Sequence, residues 1–170
     1  MNDNYFQSDF TSKGVIKVSS LIAGQNADIQ LLLDGLGVKM ISIPNRADDR
    51  GSLSFLEFDS SLPFGPQRIF MISDVPEGKT RGEHAHHQCQ QILICLNGLC
   101  EIEIDSGAIK LRIALDSLTV GIYLPPMIWA TLNLKNQFTT VLALASLKYD
   151  ELDYIRDYDE FLKIKVGIKE

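Results

Sequence analysis

This chain of 170 residues is poor in cysteine, histidine and basic charge, and it has no long apolar run. Its net charge of −6 at pH 7 offers no basic face for nucleic acid or for an anionic membrane. No apolar stretch approaches the length that spans a bilayer, and the polar N-terminus lacks the order of charges of a signal peptide. Cys89, Cys95 and Cys100 cannot all pair and form no CxxC motif. We therefore expect a reduced, cytoplasmic protein without a nucleic-acid or membrane partner.

Short apolar segments with the alternation of strands dominate the middle of the chain. Asn97-Gly98 is a strong hairpin signal, and a polar loop is expected at 133–137. Strands are predicted at 38–43, 52–58, 68–73, 91–96, 100–104, 109–115, 121–124 and 139–146. Many short strands at close spacing predict an all-β protein, either a small antiparallel barrel or a jelly roll.

Two segments carry helical signals instead. Residues 28–33 are predicted to form a short helix that ends before Gly35. From Tyr154 to Leu162, apolar and aromatic residues recur at helical spacing, which predicts one C-terminal helix packed outside the β-structure. We expect an N-terminal extension over 1–36 and one domain over 37–170.

All three histidines lie together, at His84, His86 and His87. Side chains alternate across a strand, so His84 and His86 share one face while His87 takes the other and is expected on the surface. The pair can serve as metal ligands, as general acid–base groups, or as structural histidines satisfied by local hydrogen bonds. Two adjacent imidazoles need partners whether neutral or charged, which favours a functional pocket.

The spacing from Gly78 to Gly98 resembles the first sequence motif of the cupin superfamily. That motif normally has a metal-binding glutamate where this chain has Gln91. The second motif, matched best by residues 121–133, has Ala130 in place of a further ligand histidine. An amide is a weak ligand and alanine is none, so the resemblance implies a cupin-type jelly-roll β-barrel without metal or other cofactor. The histidine pair then suits acid–base catalysis.

A closer resemblance covers about residues 40 to 162. In this region the chain is similar to the nucleotide-sugar 3,4-ketoisomerases, cupins that act on dTDP-4-keto-6-deoxyglucose. The most specific stretches are RGEHAH at 81–86 and YDELDYIRDYDEF at 149–161. Further matches are DRGSL at 49–53, RIF at 68–70, QILICLNG at 91–98, GIY at 121–123, PMIW at 126–129 and LAS at 144–146.

The resemblance implies an isomerase that moves the ketone of a dTDP-linked deoxysugar from C4 to C3, in deoxysugar and polysaccharide biosynthesis. It also implies a homodimer, often with exchanged N-terminal strands. His84 and His86 take the positions of the catalytic pair. The candidate substrate contacts are Arg81, which takes the position of an arginine in the same pocket, together with Arg68, Gln91, Tyr123 and Trp129. For Arg68 and Tyr123, an ion pair at the surface or packing on the barrel is an equal alternative.

Three departures from this family stand out. Phe70 and Met71 occupy a stretch where members commonly carry a tyrosine, Ala130 stands where a histidine often follows the tryptophan, and residues 1–36 have no counterpart in the simplest members. Two alternatives to the isomerase are an epimerase for the same substrate class and a catalytically silent cupin that binds a sugar nucleotide. A metal-dependent oxygenase comes last, because Gln91 and Ala130 weaken its ligand set.

Overall fold

The computed structural model describes residues 16–17, 27–58 and 62–167. The strands are β1 (Ile16–Lys17), β2 (Lys39–Ser42), β3 (Asn45–Asp48), β4 (Gly51–Ser54), β5 (Arg68–Ile72), β6 (Arg81–His86), β7 (Gln91–Asn97), β8 (Cys100–Asp105), β9 (Lys110–Leu115), β10 (Val120–Leu124), β11 (Trp129–Leu134), β12 (Thr140–Ala145) and β13 (Tyr154–Ile155). The helices are α1 (Ala27–Gly35), a 3₁₀ turn (Glu151–Asp153) and α2 (Tyr158–Val166).

Two sheets form the two sides of a jelly roll. The first has the order β1-β9-β8-β11-β6-β13, and the second has the order β2-β10-β7-β12-β5. A separate ribbon pairs β3 with β4. The strands pair antiparallel except β1, which runs parallel to β9. The prediction of an all-β, cupin-type jelly roll is confirmed.

Apolar side chains from the inner faces of both sheets form the core. Ile102 and Ile113 from the first sheet pack with Leu93 and Ile122 from the second, and all four are essentially excluded from solvent. This core packs the two sheets together, and a cavity lies between them beside it. Cys89, Cys95 and Cys100 are buried free thiols, as expected from their spacing.

The predicted N-terminal helix is confirmed as α1. Its Leu33 is fully buried and joins the same core as the sheets. The lead-in expected over residues 1–25 lies outside the described residues apart from Ile16–Lys17, and the domain boundary at residue 36 stays a prediction. No helix in the described ranges has the length and apolar character needed to cross a membrane.

The turn predicted at Asn97-Gly98 connects β7 to β8, but the prediction of a hairpin there was wrong, because β7 pairs within the second sheet and β8 within the first. Gly98 has φ +81°, and a Cβ atom there would lie 2.4 Å from Thr139 Oγ1. Glycine is required for both its backbone conformation and its lack of a side chain. This turn passes the chain from the second sheet to the first, while the register of β7, the strand that carries Gln91, is set by its pairing with β10 and β12.

One predicted strand was too long, and one observed strand was not predicted. The predicted strand 52–58 ends at Ser54, because Gly51–Ser54 pairs only with β3 in the short ribbon. The strand β11 was missed, and its residues 133–134 lie in the loop predicted at 133–137. The two prolines before β11 indicate a break in the chain, yet six residues suffice to pair β11 with both β6 and β8.

The predicted C-terminal helix is present but begins at Tyr158 rather than at Tyr154. Asp157 caps it, since its side chain accepts a hydrogen bond from the Glu160 backbone N–H. Tyr154 and Ile155 form β13 instead and pair with His86 and Ala85 of β6. The aromatic and apolar residues that suggested one helix therefore belong to two elements, a short strand and a helix.

Helix α2 packs on the outer face of the first sheet. Phe161 is fully buried there, with its ring centroid 5.7 Å from that of Trp129. Tyr158 stacks edge-on against the same tryptophan at 5.1 Å and donates a hydrogen bond to Asp105. The helix therefore holds the C-terminal segment, and β13 with it, against the strand that carries the histidines.

Candidate active site

A cavity of about 90 Å³ opens between the two sheets at one end of the barrel. Its wall is mostly apolar, with a few polar groups converging on one side, which is the usual character of a small-molecule site. The residues that line it are Phe70, Ile72, Gly82, His84, His86, Cys89, Gln91, Leu93, Leu124, Pro125, Ile128, Ala130, Leu132 and Tyr154.

Strand β6 places both histidines in this cavity. His84 and His86 share the inner face, their ring centroids are 4.9 Å apart, and the rings are nearly perpendicular. The prediction that they share one face is confirmed, and His87 is exposed as expected. Both imidazoles therefore face the same cavity.

An irregularity at the start of β6 sets the position of His84. Gly82 and Glu83 both have positive φ, and the pairing with β11 shifts register between Ala130 and Thr131. A Cβ atom on Gly82 would lie 2.5 Å from the Ala130 carbonyl oxygen. Gly82 allows this close approach, and its own carbonyl accepts a hydrogen bond from His84 Nδ1 at 2.8 Å.

His86 is held from both sides of its ring. Nδ1 donates to Asp153 Oδ2 at 2.8 Å, and Nε2 lies 3.1 Å from the Gln91 side-chain nitrogen. With the proton on Nδ1, Nε2 is an acceptor, so the Gln91 amide donates to it. The hydrogen bonds thus fix both the orientation of this imidazole and its tautomer.

The side chain of Asp153 is largely buried, with 10% of it exposed, and its carboxylate accepts several hydrogen bonds. Oδ2 accepts from His86 and from the Cys89 backbone N–H at 3.2 Å, and Oδ1 accepts from the Gln88 N–H at 2.7 Å. Its own carbonyl oxygen accepts from the His87 N–H at 2.9 Å. The loop after β6 therefore encloses this carboxylate and aims one oxygen at the histidine.

Burial lowers the pKa of both histidines. For His86, burial and the neighbouring His84 lower the pKa to about 4, and the hydrogen bond to Asp153 only partly offsets them. For His84, burial lowers the pKa and the hydrogen bond to Gly82 works against it. Both imidazoles are neutral at cellular pH and can accept a proton.

Tyr154 and Arg68 complete the polar side of the cavity. The Tyr154 ring lies 4.9 Å from that of His84 and 4.4 Å from that of His86. The Tyr154 hydroxyl accepts a hydrogen bond from Arg68 Nη2 at 3.3 Å. Arg68 Nε is buried without a hydrogen-bond partner in the described part of the chain, so this guanidinium has a free donor next to the site.

The structure brings only some of the predicted substrate contacts to this cavity. Gln91 lines it, and Arg68 borders it through Tyr154. Arg81 is exposed and is absent from the residues that line it. A role for Arg81 in substrate binding stays a prediction without support from this geometry.

Tyr123 and Trp129 lie on the outer faces of the sheets. Tyr123 packs near Phe64 and donates its hydroxyl to Gln90 Oε1 at 2.8 Å. Trp129 packs beneath α2, while its neighbours on β11, Ile128 and Ala130, line the cavity. The alternation of side chains along each strand explains both placements. In this structure Tyr123 and Trp129 make packing contacts outside the cavity, and their roles in substrate binding stay predictions.

One of the positions that holds a metal ligand in cupins has no ligand in this chain. Ala130 pairs directly with His84, so a methyl group stands where the further ligand was expected. No third ligand was identifiable from the sequence, whereas the fold brings Cys89 and Asp153 close to His86, with potential ligand atoms within 4.8 Å of one another. Both Asp153 oxygens already accept backbone hydrogen bonds, which suits a hydrogen-bonded cluster, and the expectation of a metal-free site stays a prediction.

Sequence reasoning assigned no role to Asp153 and Tyr154, although both lie in the matched stretch 149–161. Helical spacing pointed to a surface helix there, and local pattern cannot reveal that β13 pairs with β6. The available signal was an aspartate and a tyrosine that lie four and three residues before Asp157, the helix cap.

Comparison with known proteins identifies the family. Residues 36–166 match the family model described as FdtA: WxcM-like, C-terminal. This chain belongs to that family. It is 41% identical over 125 residues to a TDP-4-oxo-6-deoxy-alpha-D-glucose-3,4-oxoisomerase of Aneurinibacillus thermoaerophilus, which covers 74% of this chain and 90% of the relative.

Solved structures agree with this assignment. A 3,4-ketoisomerase from Helicobacter canadensis is 35% identical with a TM-score of 0.74, covering 77% of this chain and 98% of that one. A histidine-to-asparagine mutant of the 3,4-ketoisomerase QdtA from Thermoanaerobacterium thermosaccharolyticum, solved in complex with TDP-4-keto-6-deoxyglucose, is 34% identical with a TM-score of 0.74. That match covers 77% of this chain and 95% of the other.

The lowered pKa of His86 predicts a loss of stability in acid. The unfolded chain binds a proton on this histidine near pH 6.5 and the folded chain only near pH 4, so stability falls as the pH drops between these values. We expect His86→Asn to reduce the loss of unfolding free energy between pH 7 and pH 5 by about 2 kcal/mol, measured by urea denaturation. His87→Asn, at the exposed neighbour, is the control and should behave as wild type. If wild type and His86→Asn lose the same unfolding free energy between pH 7 and pH 5, the lowered pKa of His86 is contradicted.

Proposed function

We propose that this protein is a sugar-nucleotide 3,4-ketoisomerase. It converts a dTDP-4-keto-6-deoxyhexose to the 3-keto isomer by histidine-mediated proton transfer, in the biosynthesis of deoxysugars for polysaccharide. The observation that carries the proposal is a pair of neutral imidazoles in one cavity, one of them hydrogen-bonded to a buried carboxylate. Relatives over most of the chain have this named activity.

The chemistry needs a base that removes a proton from carbon. A ketone at C4 acidifies the C3 proton, and a neutral imidazole is suited to take it. We assign this step to His86, because Asp153 stabilises the imidazolium that forms and keeps Nε2 as the basic nitrogen. Substrate must displace the Gln91 amide from that nitrogen, and the freed amide can then donate to a sugar oxygen.

His84 is positioned to hold the substrate for the same reaction. Its Nδ1 is tied to the Gly82 carbonyl, so its Nε2 is the acceptor nitrogen and has no hydrogen-bond partner among the described residues. A neutral imidazole there can accept a hydrogen bond from a sugar hydroxyl and hold the ring against His86. His84 is therefore expected to affect the position of the substrate more than the first proton transfer.

The cavity is large enough for part of a sugar ring but not for a whole nucleotide sugar. At about 90 Å³ it admits the reacting carbons, so the diphosphate and the base lie outside its mouth. Arg68 borders the cavity through its hydrogen bond to Tyr154, which supports a role for its guanidinium in holding a charged or oxygen-rich group at the mouth.

An assay in deuterated buffer tests the proposed activity. Protein incubated with dTDP-4-keto-6-deoxyglucose and followed by NMR is expected to yield a 3-keto product with deuterium at C4. We expect His86→Asn to abolish C3 exchange, and His84→Asn to lower turnover about 100-fold while retaining some exchange. His87→Asn is the matched control, and chelator treatment is expected to leave the rate unchanged.

The other outcomes separate the alternatives. Deuterium at C3 or C5 with the 4-ketone retained would indicate an epimerase. Measurable binding without exchange would leave a silent sugar-nucleotide-binding cupin, and full activity in both His84→Asn and His86→Asn would contradict the assigned roles.

The protein is also inferred to be a homodimer. On the outer face of the second sheet, the edge strand β5 exposes Ile69 by 55% and Met71 by 66%. They lie on the same face of the sheet as Ile92, Ile94 and Leu144, which are already buried within the described chain. Exposed apolar side chains on an edge strand suit a subunit interface, which supports a second copy of this chain as the partner.

Sedimentation velocity tests the dimer. Wild type should sediment at twice the mass of the chain, and Met71→Glu should shift it toward the monomer, because a charge would be buried in the interface. Phe138→Glu introduces the same charge at an exposed aromatic residue between β11 and β12 and is the control. A wild-type monomer at micromolar concentration would refute the inference.

A reducing compartment fits the three buried free thiols. None of Cys89, Cys95 and Cys100 is paired, and burial raises the pKa of the Cys100 thiol to about 12, so it stays protonated. These observations support the cytoplasm as the site of action.

A further inference from the structure

Three potential metal ligands meet at the wall of the cavity, beside the histidine pair. A ring nitrogen of His86, the thiol of Cys89 and a carboxylate oxygen of Asp153 lie within 4.8 Å of one another. The nitrogen that faces the carboxylate is Nδ1, at 2.8 Å from Oδ2. His86 and Cys89 also line the cavity, so an ion that enters it can reach this ligand cluster.

The chemistry of the ligand cluster selects the kind of ion. One imidazole, one thiolate and one carboxylate suit Zn²⁺ and similar transition metals, whereas Mg²⁺ prefers oxygen ligands. Three protein ligands leave a fourth coordination position open to water. Once the thiol has lost its proton, the thiolate and the carboxylate together carry two negative charges, which neutralise the charge of the ion in this buried place.

Only small movements bring the three ligands around an ion. A tetrahedral zinc ion with bonds of about 2.0–2.3 Å places its ligand atoms about 3.3–3.8 Å apart. The 2.8 Å contact between His86 and Asp153 must therefore open, and the thiol must approach by at most about 1 Å. The contacts of Cys89 Sγ are long, 3.5 Å to the Gln90 carbonyl and 3.9 Å to Ser146 Oγ, so rotation of the thiol costs little.

Neighbouring groups already hold two of the ligands in place. The Gln88 N–H donates to Asp153 Oδ1 at 2.7 Å, which leaves Oδ2 for the ion. The Gln91 amide faces His86 Nε2 at 3.1 Å. An ion on Nδ1 moves the ring proton to Nε2, and rotation of the Gln91 amide then presents its oxygen as the acceptor. Metal-bound histidines and carboxylates commonly have such outer hydrogen-bond partners.

We propose that His86, Cys89 and Asp153 form an inhibitory zinc site. Binding takes in one Zn²⁺ and releases the thiol proton to solvent, with no change of oxidation state. His86 then carries its remaining proton on Nε2 and has no nitrogen free to accept another, so proton transfer through it stops. This loss of activity rests on the proposed isomerase function, whereas binding of the ion does not. Cys89 and Asp153 lie outside the cupin ligand positions.

Cobalt spectroscopy tests the site without substrate. Co²⁺ added to the wild-type protein is expected to give a thiolate-to-cobalt charge-transfer band in the near ultraviolet, which Zn²⁺ should abolish by displacement. The band should be absent in Cys89→Ala and present in Cys95→Ala, which removes a buried thiol outside the ligand cluster. If Cys89→Ala does not fold, Cys89→Ser replaces it with the same expectation. No band in wild type, or a band that persists without Cys89, overturns the proposal.

Inhibition of turnover tests the consequence of binding. Micromolar ZnCl₂ should lower the wild-type isomerase rate at least about tenfold, EDTA should restore it, and MgCl₂ should have no effect. In Cys89→Ala, measured against its own rate without metal, the half-inhibitory concentration of ZnCl₂ should rise at least about 100-fold.

Two results of the inhibition assay would overturn the proposal. Equal inhibition of wild type and Cys89→Ala would place the ion on His84 and His86 instead, and full activity with the ion bound would remove the inhibitory role. Failure of the isomerase function itself is distinct, because wild type would then show no turnover before zinc is added, while the cobalt band still reports the site.

Discussion

The hydrogen bond between His86 Nδ1 and Asp153 joins two distant parts of the chain, and the candidate site depends on it. His86 is placed by the alternation of β6, but its orientation comes from a carboxylate after β12, in the turn before β13. The same turn brings Tyr154 over both imidazoles. Helix α2 stabilises this arrangement, because the burial of Phe161 against Trp129 keeps β13 paired with β6.

Burial makes the His86 imidazole a weaker base, and the hydrogen bond to Asp153 partly offsets this effect. An imidazole in an apolar cavity resists protonation, which leaves His86 neutral but also makes it a weaker base in the free protein. A carboxylate at 2.8 Å favours the imidazolium once a proton arrives, and it costs little rearrangement because backbone N–H groups already hold it. The geometry of this pair therefore supports the proposed proton transfer, whereas a buried ion pair would be only weak evidence of added stability.

The sequence predicted the barrel and half of the site. Alternation was enough to predict β7, and the spacing of His84 and His86 was enough to place both on one face. The Asn97-Gly98 signal located the turn after β7 but not the change of sheet that occurs there. Asp153 and Tyr154 could not be found this way, since local periodicity favoured a helix over a two-residue strand whose pairing spans almost 70 positions. The candidates Tyr123 and Trp129 were aromatic residues near the motifs, but strand alternation turns them outward.

The central claim is that Asp153 makes His86 the base that removes the C3 proton. The most direct measurement is the rate of C3 deuterium exchange in Asp153→Asn, with Asp157→Asn, which retains a good helix cap, as control. The claim predicts that exchange falls by about 10²- to 10⁴-fold in Asp153→Asn, with KM and TDP affinity close to wild type. Exchange at the wild-type rate in that variant would contradict it.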